Sequence, residues 1–185
     1  MRFVFSLVVA LILFPAATLA SDLSLAKEPG YFVMLRHAYA PGTGDPANFS
    51  LNDCQTQRNL NAEGRDQAKT IGDLFRQAGV KSADIYSSQW CRCMDTAWEM
   101  ELGDVRELPP LNSFFGRYER EAGQMKDLRD WLSKQPLQKP LILVTHQVVM
   151  TSLTGVFPSS GEIFILKRSE NGNLDLVKRI RTLER

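Results

Sequence analysis

The sequence predicts an α/β three-layer sandwich with a mostly parallel central sheet and an antiparallel hairpin at its edge. Three observations predict it. Short apolar runs alternate with segments of helical periodicity. Two of those runs, Tyr31–Leu35 and Leu141–Val144, are continuously apolar, as strands covered on both faces are. Near the end of the chain, Asn171-Gly172 lies between two segments of strand character, a strong hairpin signal.

The elements follow in order. Residues 31–35 form the first strand. Residues 38–57 are rich in Pro, Gly, Asn and Asp and read as a long loop, a kind of segment that often carries function. Asn61 is placed to cap a helix in which Ile71, Leu74, Phe75 and Ala78 repeat at helical spacing, with Gly79 as its stop. Residues 84–87 give a second short strand. Trp90, Met94, Ala97 and Glu101 share one helical face. Residues 105–111 are expected as a third strand, ended by Pro109-Pro110. Met125, Leu128 and Leu132 mark a helix before Pro136. After the strand at 141–144, a short helix from about Val148 ends at Gly155, and the hairpin segments are residues 162–168 and 173–181.

The first twenty residues read as an address. Arg2 precedes an apolar run from Phe3 to Phe14, followed by Pro15 and small residues up to Ala20. A basic start, a short apolar stretch and a small-residue exit describe a secretory signal peptide. The run is shorter than the roughly 20 apolar residues that a membrane span needs, so no stable membrane insertion is expected after cleavage. Residues 21–185 then form a single domain, periplasmic or secreted. The net charge of +1 gives no global field toward nucleic acid. An oxidising compartment makes a disulfide plausible among Cys54, Cys91 and Cys93. Cys91 and Cys93 are too close in sequence to bridge comfortably, so Cys54 pairs with one of them and one thiol is left over. Two histidines and no Cys-x-x-Cys pair offer no usual zinc-ligand spacing, and no metal or other cofactor is expected.

Both histidines follow the buried strands: Leu35-Arg36-His37 and Val144-Thr145-His146. If both strands are central and parallel, the two imidazoles stand together at the carboxyl edge of the sheet, where α/β sheets bind ligands.

These residues resemble the histidine phosphatase superfamily. Leu35-Arg36-His37-Ala38 is similar to its Arg-His-Gly signature. Ser87-Ser88-x-x-x-Arg92 is similar to its Ser-Ser-x-x-x-Arg motif ahead of a helix. Val144-Thr145-His146 resembles its late strand ending in a second histidine, and Arg58-x-Leu60-x-x-x-Gly64-x-x-x-Ala68 the segment that opens its first helix. Order and intervals suit the small branch, so the resemblance implies a phosphoglycerate mutase-like sandwich. It assigns His37 as the nucleophile, attacking phosphorus to give a phosphohistidine that water hydrolyses. Arg36 and Arg92 are the planar cationic forks for the phosphoryl oxygens, and His146 donates a further hydrogen bond. The carboxylic acid that protonates the leaving oxygen in mutase-like members has Ser113 in its place here. Glu119 and Glu121 are the nearby candidates for that role. Ala38 replaces the usual glycine, and Gln147 follows the second histidine.

The resulting expectation is a metal-independent phosphatase of the cell envelope, acting on a small phosphorylated substrate. Two alternatives stand beside it: a phosphohistidine or other phosphoprotein phosphatase, and a phosphate-binding protein without turnover.

Overall fold

The computed structural model describes residues 21–182; the segment read as a signal peptide, residues 1–20, lies outside them. The strands are β1 (Tyr31–Arg36), β2 (Asp84–Ser87), β3 (Val105–Glu107), β4 (Leu141–Thr145), β5 (Ile163–Arg168) and β6 (Leu174–Ile180). They form one sheet in the order β3-β2-β4-β1-β5-β6. Strands β3, β2, β4 and β1 run parallel, and β5 joins β1 antiparallel. The β5–β6 hairpin closes that edge through the Asn171-Gly172 turn. The expected architecture is the observed one.

The side-chain period of the strands explains the three layers. In β1, Val33 and Leu35 enter a cluster with Ile71, Phe75, Ala97 and Met100. These belong to, or directly follow, helices α1 (Ala62–Gln77) and α2 (Cys91–Glu99). Phe32 and Met34 point the other way, among Leu128, Leu132, Val149 and Leu153 of helices α3 (Glu121–Ser133) and α4 (Gln147–Thr154). Each fully buried side chain of this size contributes about 1.5–3 kcal/mol, so a strand apolar on both faces is anchored in the middle of the sheet.

Helix α1 begins where Asn61 accepts a 2.9 Å hydrogen bond from the Gly64 N–H. It has glycine where it touches backbone. A Cβ at Gly64 would lie 2.0 Å from the Tyr39 carbonyl oxygen, and one at Gly72 would lie 2.1 Å from that of Met100. Helix α1 therefore sits directly on the segment that leaves β1.

Two elements differ from expectation. The third strand ends at Glu107, because Pro109 has no N–H for the ladder and opens a 3₁₀ turn, Pro109–Leu111. The helix around Met94 excludes Trp90, which is its N-cap, and Glu101, which follows it with φ +52°. The 3₁₀ turn supports the sheet edge, since Leu111 O accepts a 2.6 Å bond from Thr145 Oγ1.

Candidate active site

Because β1 and β4 are adjacent and parallel, Arg36 stands in register with Thr145. The His37 N–H bonds Thr145 O at 2.9 Å, which extends the ladder one step and brings both histidines to the same edge. Their rings lie 5.5 Å apart, centroid to centroid, at 67°. A cavity of about 930 Å³ opens there, lined by Arg36, His37, Arg58, Arg92 and His146. The four residues assigned from the sequence are thus brought together.

The local bonds fix each group. His37 Nδ1 lies 2.8 Å from the carbonyl oxygen of Ala38. A carbonyl only accepts, so Nδ1 carries the proton and Nε2 keeps its lone pair. Burial, then the charge of Arg92, holds His37 well below the ordinary imidazole range. The same two causes act on His146. Both rings are therefore neutral at physiological pH, as a nitrogen nucleophile requires.

His146 has a choice of tautomer. Ser88 Oγ is 2.8 Å from His146 Nε2 and 3.1 Å from Asn112 Oδ1, and its one proton serves either. When it serves Asn112, His146 donates from Nε2 to Ser88, and Nδ1 faces Arg92 Nη2 at 3.5 Å. When it serves His146, the proton moves to Nδ1, which can then donate to an oxyanion.

The cations are held from behind. Arg36 donates from Nη1 to Pro158 O at 2.9 Å, and its pKa is lowered by burial and by Arg92. Arg92 is 3% exposed and grips both oxygens of Asp45, Nη1 to Oδ1 at 2.7 Å and Nη2 to Oδ2 at 3.1 Å. The Nε–H groups of both Arg36 and Arg92 are buried without a partner.

The opposite wall is loop. Arg58 donates from Nε to Gly44 O at 2.8 Å and from Nη1 to Ala40 O at 2.6 Å. Burial and the neighbouring Arg92 bring its pKa down to about 10, which leaves it cationic at neutral pH. The Cys54–Cys91 disulfide ties this loop to the start of α2, one residue before Arg92. Cys93 is the remaining thiol; it is buried, and burial pushes it up to about 12. Gln57 Oε1 also accepts from the Cys91 N–H at 3.0 Å.

Two residues of the site were absent from the sequence assignment. Arg58 stood only in the helix-opening motif, and Asp45 lay in an unremarkable Gly-Asp-Pro turn. The proposed proton donors need correction. Glu119 is exposed, and neither it nor Glu121 lines the cavity. The 3₁₀ turn Tyr118–Arg120 and the start of α3 present Arg117, Arg120 and Gln124 to it instead. Ser113 does line the cavity, without a carboxyl to offer. Ala38 has ordinary backbone angles and donates to Thr96 Oγ1 at 2.9 Å, so it fills the glycine position without strain. Gln147 lines the cavity while donating to Thr151 Oγ1 at 2.9 Å. Among the described residues, no group of three or more His, Cys, Asp or Glu is placed to hold a metal ion.

The profile of the Histidine phosphatase superfamily (branch 1) matches residues 32–136, more than half of the chain, and the protein belongs to that family. Its class is therefore that of the phosphoric ester hydrolases. Solved structures agree in fold. The protein histidine phosphatase SixA complexed with tungstate is 16% identical, with 82% of this chain and 97% of that chain covered and a TM-score of 0.58. A mycobacterial glucosyl-3-phosphoglycerate phosphatase in complex with VO3 is 16% identical, with coverage of 80% and 96% and a TM-score of 0.59. A phosphoserine phosphatase from Entamoeba histolytica, in complex with phosphoserine, is 16% identical, with coverage of 82% and 97% and a TM-score of 0.57. No curated protein sequence matches the chain.

Proposed function

We propose that the protein is a phosphatase that moves a phosphoryl group from its substrate to His37 Nε2 and then to water, without a metal. The observation that carries this reading is the placement of the Arg36 and Arg92 guanidinium groups in the cavity that His37 lines. They supply preorganised donors for equatorial phosphoryl oxygens, and phosphoryl transfer depends mainly on such positioning and charge. Arg58 adds a third cation, and His146 adds a donor in its Nδ1–H tautomer. The substrate is a small phosphorylated compound or a phosphoprotein, as the names of the similar structures support. A location in the cell envelope is supported by the signal-like residues 1–20 and by the disulfide.

The purified protein is expected to hydrolyse an aryl phosphate in the presence of a chelator, and His37→Ala to abolish that activity. Labelled phosphate trapped on His37 after acid quench separates turnover from anion binding alone. An unchanged rate in His37→Ala removes the nucleophile assignment.

A further inference from the structure

Departure of an alkoxide requires a proton, which a positioned acid such as a carboxyl group supplies. Among the described residues lining the cavity, one carries a carboxyl group: Asp45. Its surroundings occupy it fully. Oδ1 accepts from Arg92 Nη1 at 2.7 Å and from the Arg58 backbone N–H at 3.1 Å. Oδ2 accepts from Arg92 Nη2 at 3.1 Å and from Trp90 Nε1 at 3.0 Å. A carboxylate has about four lone-pair sites, and here four donors use them. A proton on either oxygen must displace one of those donors. Burial pushes this carboxyl up, yet the Arg92 fork, the Arg58 amide and the Trp90 indole together hold it below the usual carboxylate range.

The same contacts define what Asp45 does for Arg92. The carboxylate takes the terminal Nη edge of the guanidinium. Arg92 Nη1 also bonds Arg58 O at 3.2 Å, and Nη2 faces His146. The donor left over is the buried Nε–H. Asp45 thus sets the rotation of a guanidinium that lines the cavity beside His37.

We propose that Asp45 is a fixed counter-ion that orients Arg92 rather than a proton donor, and that the site consequently selects phosphates whose leaving group departs without protonation. Aryl and acyl phosphates and pyrophosphates meet that condition; simple alkyl phosphates do not. The inference rests on the phosphatase reading above. In the first step the His37 Nε2 lone pair forms the P–N bond. The P–O bond to the leaving group breaks, and its electron pair departs with the oxygen as an anion. In the second step water forms a P–O bond, the P–N bond breaks, and its electrons return to Nε2. The water's two protons leave on dihydrogen phosphate.

The test is a series of aryl phosphates of graded phenol acidity, with one alkyl phosphate, measured as kcat/KM on the purified protein. The expected wild-type result is a steep linear fall of log kcat/KM as the leaving group becomes more basic. The alkyl ester should lie slower by roughly 10²–10⁴-fold, the factor a general acid would have supplied. Asp45→Asn is expected to lower kcat/KM on the order of 10²-fold with the same slope, because it misplaces Arg92 without removing an acid. It should also leave the basic limb of the pH profile unmoved. A flat wild-type series that steepens in Asp45→Asn would show Asp45 to be the acid and overturn the proposal. An Asp45→Asn rate equal to wild type would overturn the orienting role. The wild-type slope decides the leaving-group claim even if the variant does not fold. Failure of the phosphatase reading itself is distinct: no aryl phosphate would be hydrolysed at all.

Discussion

The two sides of the cavity are built differently. On one side, Arg36, His37 and His146 extend from β1 and β4, hydrogen-bonded neighbours at the centre of the sheet. Every residue of β4, and Phe32–Leu35 of β1, is buried beneath them. On the other side, Asp45, Phe49 and Arg58 belong to a segment of turns held by staples. Those staples are the Cys54–Cys91 bond, the Arg58 guanidinium on the carbonyls of Ala40 and Gly44, and Gln57 against Cys91. Phe49 stacks on Trp90 at 5.0 Å and completes that wall. The chemical groups sit mainly on the rigid side and the groups that surround the substrate mainly on the stapled one. Arg92 joins the two, extending from α2 to grip the loop's Asp45.

That contrast predicts different failures. The largest effect belongs to the sheet side: His37→Ala should leave no measurable turnover, while calorimetric titration still detects phosphate, since three guanidiniums remain. On the loop side, replacing both Cys54 and Cys91 by serine should cost about 2–4 kcal/mol of stability, measured by denaturant unfolding. Its kinetic signature should be a rise in KM larger than the fall in kcat. An unchanged KM would mean that the loop keeps its shape without the bond. Smaller still, Gly64→Ala should lose about 1–3 kcal/mol, because its methyl must push α1 away from the Tyr39 carbonyl. The subtlest effect concerns pH. Both imidazoles stay neutral in the fold, whereas the unfolded chain protonates them near about pH 6.5. Acid therefore favours the unfolded chain: this contribution to stability is complete above about pH 6.5 and is lost progressively as pH falls toward the lowered folded values. Thermal melts across pH 4.5–7.5 should show the decline, and His146→Asn should flatten it.

The same contrast accounts for what the sequence made legible. A strand covered on both faces has an unmistakable apolar run, and a histidine at its end inherits a position in space from that run. His37 and His146 could therefore be paired before any coordinates. The loop offers no such periodicity. Asp45 reaches Arg92 because positive-φ turns at Gly42 and Gly44 fold the segment back, and residue type alone does not announce that path. Glu119 and Glu121 show the converse. Chain proximity to Ser113, a cavity residue, suggested them, but a turn at Tyr118–Arg120 decides which side chains face inward, and it brings Arg117 and Arg120. Arg58 left a trace two residues before Leu60, and its position against the carbonyls of Ala40 and Gly44 is a tertiary fact.

The guanidinium groups that line the cavity beside His37 have a practical consequence. Any tetrahedral oxyanion in a buffer is a competitor for them. Sulfate, phosphate or vanadate carried through purification should depress the measured rate and raise the melting temperature together, by about 2.7 kcal/mol of added stability when the anion is at a hundred times its dissociation constant. Comparing preparations thus requires matching their salts before matching their sequences.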